Sequence, residues 1–311
     1  MNMKTSAARV IDPILTNHSR GYKQDGFIGD LVLPIADMPT RAAKRIEFGR
    51  ESFRRYKIKR APGTAIAQVS FGYEGKPVQL SQYALAAVTP VEHQEEADEV
   101  PEIDLLSSNV DTVLAVIALE KEIQQASAVR NAASYAATNK VALAGGANWS
   151  DDASKPDVAV ADAKEVIRGR TGRRPNTLTL GPKVAARLKV HPRVIERFKH
   201  SLAVDAVVTD AMLASFFDVP RVLVGDAIFD NDDGTSSDVW GEDAHLAYVP
   251  MAGTPNINIP AFGYTYRLRN HPFAKPAYFE RGLNSWLNDV FDEFSPEVVG
   301  ADAGFLFQAA L

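Results

Sequence analysis

The strongest constraint on this chain lies between Pro101 and Arg130, where the sequence commits to one long helix. Ile103, Leu106, Val110, Val113, Leu114 and Ile117 recur at three-and-four spacing, the apolar stripe of a helix with one face to bury. Pro101 and the acids beside it suit a helix start, because the N-terminal end of the dipole favours negative charge. Good helix formers continue through Leu119-Glu120-Lys121-Glu122-Ile123 towards Arg130. From Asp104 to Arg130 such a helix spans about 40 Å at about 1.5 Å per residue. That exceeds the usual globular helix. A rod of this length acts as a strut, and the other elements have to be hung on it.

The segments before the strut have no evident core of their own. Residues 1–40 are broken by Pro13, Gly21, Gly26, Gly29, Pro34 and Pro39, with short apolar pieces such as Leu31-Val32-Leu33 between them. One domain would struggle to bury these pieces within itself, so they suggest an extended arm laid across other subunits. A partly disordered terminus is the plainer alternative. Residues 44–60 are basic, with Phe48, Phe53 and Tyr56 interleaved. That pattern suits either a nucleic-acid surface or a two-stranded hairpin with a solvated face. Turns at Pro62-Gly63 and from Gly72 to Pro77 favour the hairpin. Residues 92–104 are acidic without a lysine or arginine, as solvated runs usually are. In an oligomer, Arg54, Arg55, Lys57, Lys59 and Arg60 of one copy could lie on Glu95, Glu96 and Glu99 of its neighbour. Such complementary patches steer encounter and register.

After Gly145-Gly146 the pattern changes to a compact α+β unit. Helices are expected over Val160–Gly169, Lys183–Lys189, Arg193–His200 and Asp210–Phe217, the last capped by Thr209. Strands are expected over Asn176–Leu180, Arg221–Phe229 and Val239–Val249, with a polar turn from Asp230 to Asp238. The tail adds strand-like pieces at Phe262–Arg269, Trp286–Glu293 and Val298–Phe307, punctuated by Ser295-Pro296 and Gly300.

The chain of 311 residues, 46% of them apolar, can bury one large core or two modest ones. A net charge of -5 argues against wrapping nucleic acid by phosphate neutralisation. The chain has no cysteine, which excludes disulfides, thiolate metal sites and cysteine nucleophiles. No secretory signal or membrane-length apolar run is present, so a soluble protein made in the cytoplasm is expected. His18, His93, His191, His200, His245 and His271 show no metal-ligand spacing, and each reads as a surface or satisfied structural histidine. Asp230-Asn231-Asp232-Asp233-Gly234 fails as a calcium loop, because aligning Gly234 puts Phe229 and Trp240 at ligand positions. Phosphate loops and nucleophile elbows are missing as well. No cofactor, no metal and no enzymatic activity are expected.

Several segments, in order, resemble the major capsid proteins of tailed bacteriophages with the Hong Kong ninety-seven type shell fold. They are Phe53-Arg54-Arg55-Tyr56-Lys57-Ile58, the strut from Asp104, Thr171 to Leu178 with Gly181-Pro182, Val224-Gly225-Asp226-Ala227, Val239 to Asp243, Phe262-Gly263-Tyr264-Thr265 and Ala301 to Phe305. Each is weak alone; their order and spacing over nearly the whole chain carry the resemblance. It implies an α+β fold with an N-terminal arm (residues 1–43), an extended β-hairpin loop (44–92) and a peripheral domain with a long spine helix (93–157). An axial domain (158–258), returning peripheral strands (259–297) and a closing axial strand (298–311) would complete it.

The function it implies is a subunit that self-assembles into pentamers and hexamers of an icosahedral head. That head would enclose double-stranded DNA without sequence-specific binding. The implied location is the virion, with assembly in the host cytoplasm and no membrane partner. Beside further copies of itself, the implied partners are a portal, a decoration protein and a scaffolding protein. Scaffolding is expected from a separate chain, or not at all, since no long leading region precedes the arm. Some relatives cross-link a lysine to an asparagine. Lys57, Lys59, Lys76, Asn284 and Asn288 are the residues in the corresponding regions, but no pair can be matched and no cross-link is expected. Three rival readings stay open here: an encapsulin-like nanocompartment shell, an α+β hydrolase or nucleotide-binding enzyme, and a nucleic-acid-binding module using residues 44–60.

Overall fold

The computed structural model describes residues 26–48, 59, 73–98, 105–199, 207–250 and 261–311. In chain order the first elements are α1 (Gly29–Val32), β1 (Ile35–Met38), β2 (Ala42–Phe48), β3 (Tyr73–Gln79), β4 (Ser81–Pro90) and α2 (Val91–Asp98). The strut follows as α3 (Leu105–Arg130). Then come β5 (Lys140–Ala142), α4 (Pro156–Thr171), β6 (Thr177–Leu180), α5 (Pro182–Lys189), α6 (Pro192–Phe198) and α7 (Asp210–Phe217). The remaining strands are β7 (Arg221–Val224), β8 (Ile228–Asp230), β9 (Ser236–Asp238), β10 (Ala244–Ala247), β11 (Gly263–Leu268), β12 (Phe273–Ala274), β13 (Tyr278–Glu280), β14 (Ser285–Val298) and β15 (Gly304–Gln308).

Two sheets organise these elements, and α3 runs past both. The first has six strands with the 14-residue β14 at its centre. β4 pairs with β14 on one side; β13, β12 and β11 pair with it on the other, and β1 adds parallel to β11. The stripe Val110, Val113, Leu114 and Ile117 packs on this sheet against Ala87, Ala274, Val290 and Phe294. The last turns of α3 belong to another core, where Ala126 and Val129 meet Tyr135, Trp240, Phe262 and Leu306.

The second sheet has the order β5-β15-β10-β6-β7. Its central strands β15, β10 and β6 are buried on both faces, so polar and apolar positions do not alternate in the usual way. Leu178, Leu180, Leu246, Phe305 and Phe307 face a core built with Trp149, Ile167, Leu188 and Leu213. The alternate positions Ala247 and Leu306 face the core shared with α3. The helices around it obey local rules. Pro156 and Pro182 occupy first turns, Gly172 closes α4 in the left-handed conformation at φ 68°, and Thr209 accepts from the Met212 N–H to cap α7.

Five expectations need correction. Leu31-Val32-Leu33 is expected to lie across other subunits, yet Val32 and Leu33 are fully buried in the chain's own core. Four-residue α1 turns them towards α3. Ser295-Pro296 does not interrupt β14, which runs on to Val298. Pro296 faces Thr265, whose N–H bonds to the Pro34 carbonyl on the other side. The pair is therefore a non-hydrogen-bonded one, and β4 ends at the Ser81–Phe294 pair, so no ladder bond needs the missing N–H. The turn expected from Gly72 to Pro77 is, from Tyr73 on, strand β3, and Arg221–Phe229 is two strands parted at Gly225-Asp226-Ala227. β4 is a strand that the sequence pattern does not announce.

His245 is the fifth correction. His191 fits the expectation: it is buried, caps α6 by accepting from the Arg193 N–H, and meets Ser154 and the Asp151 carbonyl. His245 is as deeply buried, between the rings of Tyr135 and Phe262, and neither of its nitrogens has a hydrogen-bond partner. Burial lowers its pKa from 6.5 to about 3. The unfolded chain therefore binds the proton first as pH falls. The contribution of His245 to stability is therefore full above about pH 6.5 and is lost progressively as pH falls towards about 3. Urea midpoints measured across this range should show this decline in the wild type and a shallower one in His245→Leu.

Candidate assembly interface

The basic hairpin has its root in the six-stranded sheet. β2 and β3 pair antiparallel from Ala42–Gln79 to Phe48–Tyr73. Met38, Val78 and Leu80 form a small cluster beside Tyr266 and Leu268 that seats the ribbon. Arg41 adds a two-pronged bond to Glu293, Nε to Oε2 at 2.7 Å and Nη2 to Oε1 at 2.8 Å, with Gln82 also donating to Glu293. Glu293 is buried at the foot of the ribbon, so the pair fixes its exit angle. Beyond this root, Ala42, Ala43, Lys44, Gly75, Lys76 and Pro77 are exposed.

The acidic stretch begins as a helix. Glu92 and Glu95 lie exposed on α2, and Glu92 accepts from the Asn284 side chain at 2.9 Å. Its own backbone N–H, and then Asn284, hold the Glu92 carboxyl below the ordinary range. Of the residues expected to meet between subunits, Lys59 is exposed and outside any regular element, Glu95 is exposed on α2, and Glu96 belongs to the same helix. Arg54, Arg55, Lys57, Arg60 and Glu99 lie outside the described residues. Asn284 bonds Glu92, and Asn288 is buried beside the spine helix.

A second junction had no sequence warning. Glu122, on the inner side of α3, accepts from the Ile28 N–H at 3.0 Å, the Gly29 N–H at 2.9 Å and Trp240 Nε1 at 2.7 Å. Gln125 donates to Asp30 and Thr265, and Lys121 pairs with Asp30 at 2.7 Å. One carboxylate thus ties the root of the N-terminal segment, the spine helix and the turn after β9 together. Burial pushes the Glu122 carboxyl above its ordinary range, against the pull of these three N–H groups. A run such as Leu-Glu-Lys-Glu-Ile looks like ordinary helix surface. The available signal was that Glu122 and Gln125 stand four residues before Ala126 and Val129, at helical spacing to apolar positions.

The chemistry available elsewhere is sparse. A polar cleft of about 520 Å³ lies between Arg130, Lys183, Asp238, Glu242 and Asp243. Both of its cations are already paired, Arg130 to Asp243 at 2.7 Å and Lys183 to Asp238 at 3.3 Å. Among the described residues, no group of three or more His, Asp or Glu could hold a metal ion.

These exposed ribbons and tied junctions are the anatomy of a subunit that meets other copies, and relatives identify which. The major capsid protein of Burkholderia phage BcepMu is 33% identical over 307 residues, 97% of each chain. The chain belongs to the phage major capsid proteins. The family model described as phage major capsid protein E matches residues 113–261. A phage-related protein of Bordetella bronchiseptica RB50 is similar in structure, with a TM-score of 0.82, 39% identity and coverage of 97% of this chain and 98% of that one. The capsid of cyanophage P-SCSP1u shares the fold alone, at a TM-score of 0.59 and 11% identity, over 99% and 93% of the two chains. The Hong Kong ninety-seven type architecture implied by the sequence is consistent with these neighbours. Whole-length identity to a phage capsid protein also favours the virion over the nanocompartment reading. As a major capsid protein, the chain is a structural component of the phage particle.

Proposed function

We propose that this capsid protein forms pentamers and hexamers of an icosahedral head around double-stranded DNA, assembled in the host cytoplasm. In this reading residues 158–258 with the closing segment 298–311 form the axial domain at the centre of each ring. Residues 93–157 and 259–297 form the peripheral domain, 1–43 the arm and 44–92 the reaching loop. Arg54, Arg55, Lys57, Lys59 and Arg60 of one copy rest on Glu95, Glu96 and Glu99 of the next. The observation that carries this is the ribbon β2–β3. A lone two-stranded ribbon is at best marginal in water, so one that leaves its own body gains its covering from elsewhere. A net charge of -5 leaves DNA enclosed rather than gripped. A portal, a separate scaffolding protein and a decoration protein fit beside it.

The test is the double substitution Arg54→Glu with Arg55→Glu. It reverses two charges in the basic segment proposed to rest on the neighbouring copy. Negative-stain microscopy and light scattering should find closed shells or five- and six-membered rings for the wild type. The variant should keep the wild-type stability within about 0.5 kcal/mol, as surface changes do, yet form neither rings nor shells. Normal shells from the variant would remove the charge pairing.

A further inference from the structure

Strand β4 ends the six-stranded sheet with an edge that no strand pairs among the described residues. It is 10 residues long, Ser81–Pro90, and contains no charged side chain. Exposed edges of this kind usually carry a charge, an early proline or a bulge, because unpaired N–H and C=O groups template pairing with another chain. The outermost strands elsewhere are protected: β1 is four residues long and carries Asp37, β7 opens with Arg221, and β5 has three residues beginning with Lys140. β4 has only Pro90, at its last position. Leu85 and Val88 on it are 44% and 48% exposed.

The ladder to β14 fixes which backbone groups are free. Val91 donates to the Asn284 carbonyl. By alternation, the inward-bonding residues of β4 are Thr89, Ala87, Leu85, Tyr83 and Ser81, opposite Trp286, Asn288, Val290, Asp292 and Phe294. Gln82, Ala84, Ala86 and Val88 therefore turn their N–H and C=O groups outward.

We infer that this edge pairs antiparallel with the same edge of a second copy, across a two-fold axis at Leu85. An uncharged strand can face itself without bringing like charges together, and a two-fold contact requires self-complementarity of this kind. The ribbon β2–β3, by contrast, carries Lys44, Arg45, Glu47, Glu74 and Lys76. With Leu85 opposite Leu85, the outward residues pair as Gln82 with Val88 and Ala84 with Ala86. Pro90, which has no N–H to give, falls beyond the last pair. The exposed leucine then lies at the centre of the contact, covered by its own copy. Room is sufficient. Each spine helix packs against both β4 and β14, so the two helices, each midway over its own pair of strands, would lie about 10 Å apart at about 4.8 Å per strand, the usual interaxial distance of about 8–10 Å for packed helices.

The inference rests on the shell reading above, and its test separates the two. The chain has no cysteine, so Leu85→Cys introduces a single thiol. Opposed Cα atoms of a non-hydrogen-bonded antiparallel pair are about 4.5 Å apart, within disulfide range. Mild oxidation of assembled Leu85→Cys particles should turn most subunits into covalent dimers on a denaturing gel. Val88→Cys particles, whose thiols face Gln82, should stay monomeric. Hydrogen exchange on wild-type protein gives a reading independent of any variant: amides of Ala84, Ala86 and Val88 should slow at least tenfold between free subunit and particle. Unlinked Leu85→Cys particles overturn the pairing, even if those amides are protected, because a different segment then covers the edge. Equal linking through Val88→Cys, or exchange unchanged on assembly, overturns it too. If the wild type forms no particles at all, the shell reading fails first and the pairing falls with it.

Discussion

Glu122→Ala is expected to lower the unfolding free energy by about 3 kcal/mol, with Glu122→Gln losing only about 1 kcal/mol. The alanine leaves three buried donors, the Ile28 and Gly29 N–H groups and Trp240 Nε1, with nothing to accept them. An orphaned buried donor costs about 1–3 kcal/mol, but the three do not simply add. Removing the carboxylate also relieves its own burial cost, which is large enough to push its pKa upward. Glutamine keeps a carbonyl oxygen where Oε1 collects all three N–H groups, and it carries no charge to desolvate. The split between the two variants is the informative result. Equal losses from Ala and Gln would mean that the charge, and not the accepting oxygen, holds the junction. Denaturant midpoints followed by Trp240 emission measure both. The alanine variant should also show faster hydrogen exchange at Ile28 and Gly29, because the root of the N-terminal segment loses its tether.

How much of this was legible in the sequence depends on the kind of signal. The spine helix was legible because Val110, Val113, Leu114 and Ile117 have a period that only a helix satisfies, and its observed start at Leu105 lies one residue from the expected one. The helices between residues 156 and 217 were legible because Pro156, Pro182, Pro192, Thr209 and Gly172 act locally, within a turn of where they stand. β4 was not: Ser-Gln-Tyr-Ala-Leu-Ala-Ala-Val alternates weakly, and its pairing partner β14 lies about 200 residues later in the chain. Pro296 misled for a related reason, since its cost depends on whether a neighbouring strand asks for its N–H, and β4 stops just short of it. Val32 and Leu33 misled because a run broken by glycine and proline has no period from which burial can be read. Glu122 and Glu293 show the same limit at the candidate interface. A buried acid is recognised by the donors folded around it, and those donors come from residues 28–41, 82 and 240. The charge order of residues 44–60 and 92–104 could be read directly, because charge needs no partner to be seen in a sequence.

Gly181→Ala is expected to cost about 3 kcal/mol, at the upper end for overpacking. The backbone of Gly181 is ordinary, at φ -67° and ψ 158°, so conformational strain is not the reason. Space is: a Cβ there would run into the Gly241 carbonyl oxygen and lie 2.9 Å from its carbon. Both obstacles are backbone, and Gly241 cannot retreat, because it lies against the Arg130 guanidinium and follows Trp240 in the turn that Glu122 holds. The same turn carries Asp243, which receives Arg130 Nε and the Ala309 N–H. One methyl group would therefore push on the end of β6, the start of α5 and the last turn of the spine helix together. Gly169→Ala is the fitting control. That glycine lies inside α4 with nothing within 4 Å of where a methyl group would sit, so alanine there should stabilise by about 0.5–1 kcal/mol. Gly181→Ala and Glu122→Ala meet in one turn and should not add. The double variant is expected to fall short of the summed losses by about 1 kcal/mol, since the turn freed by one change can shift to admit the other. Full additivity in guanidinium unfolding would mean that Trp240 and Gly241 do not transmit between the spine helix and the five-stranded sheet.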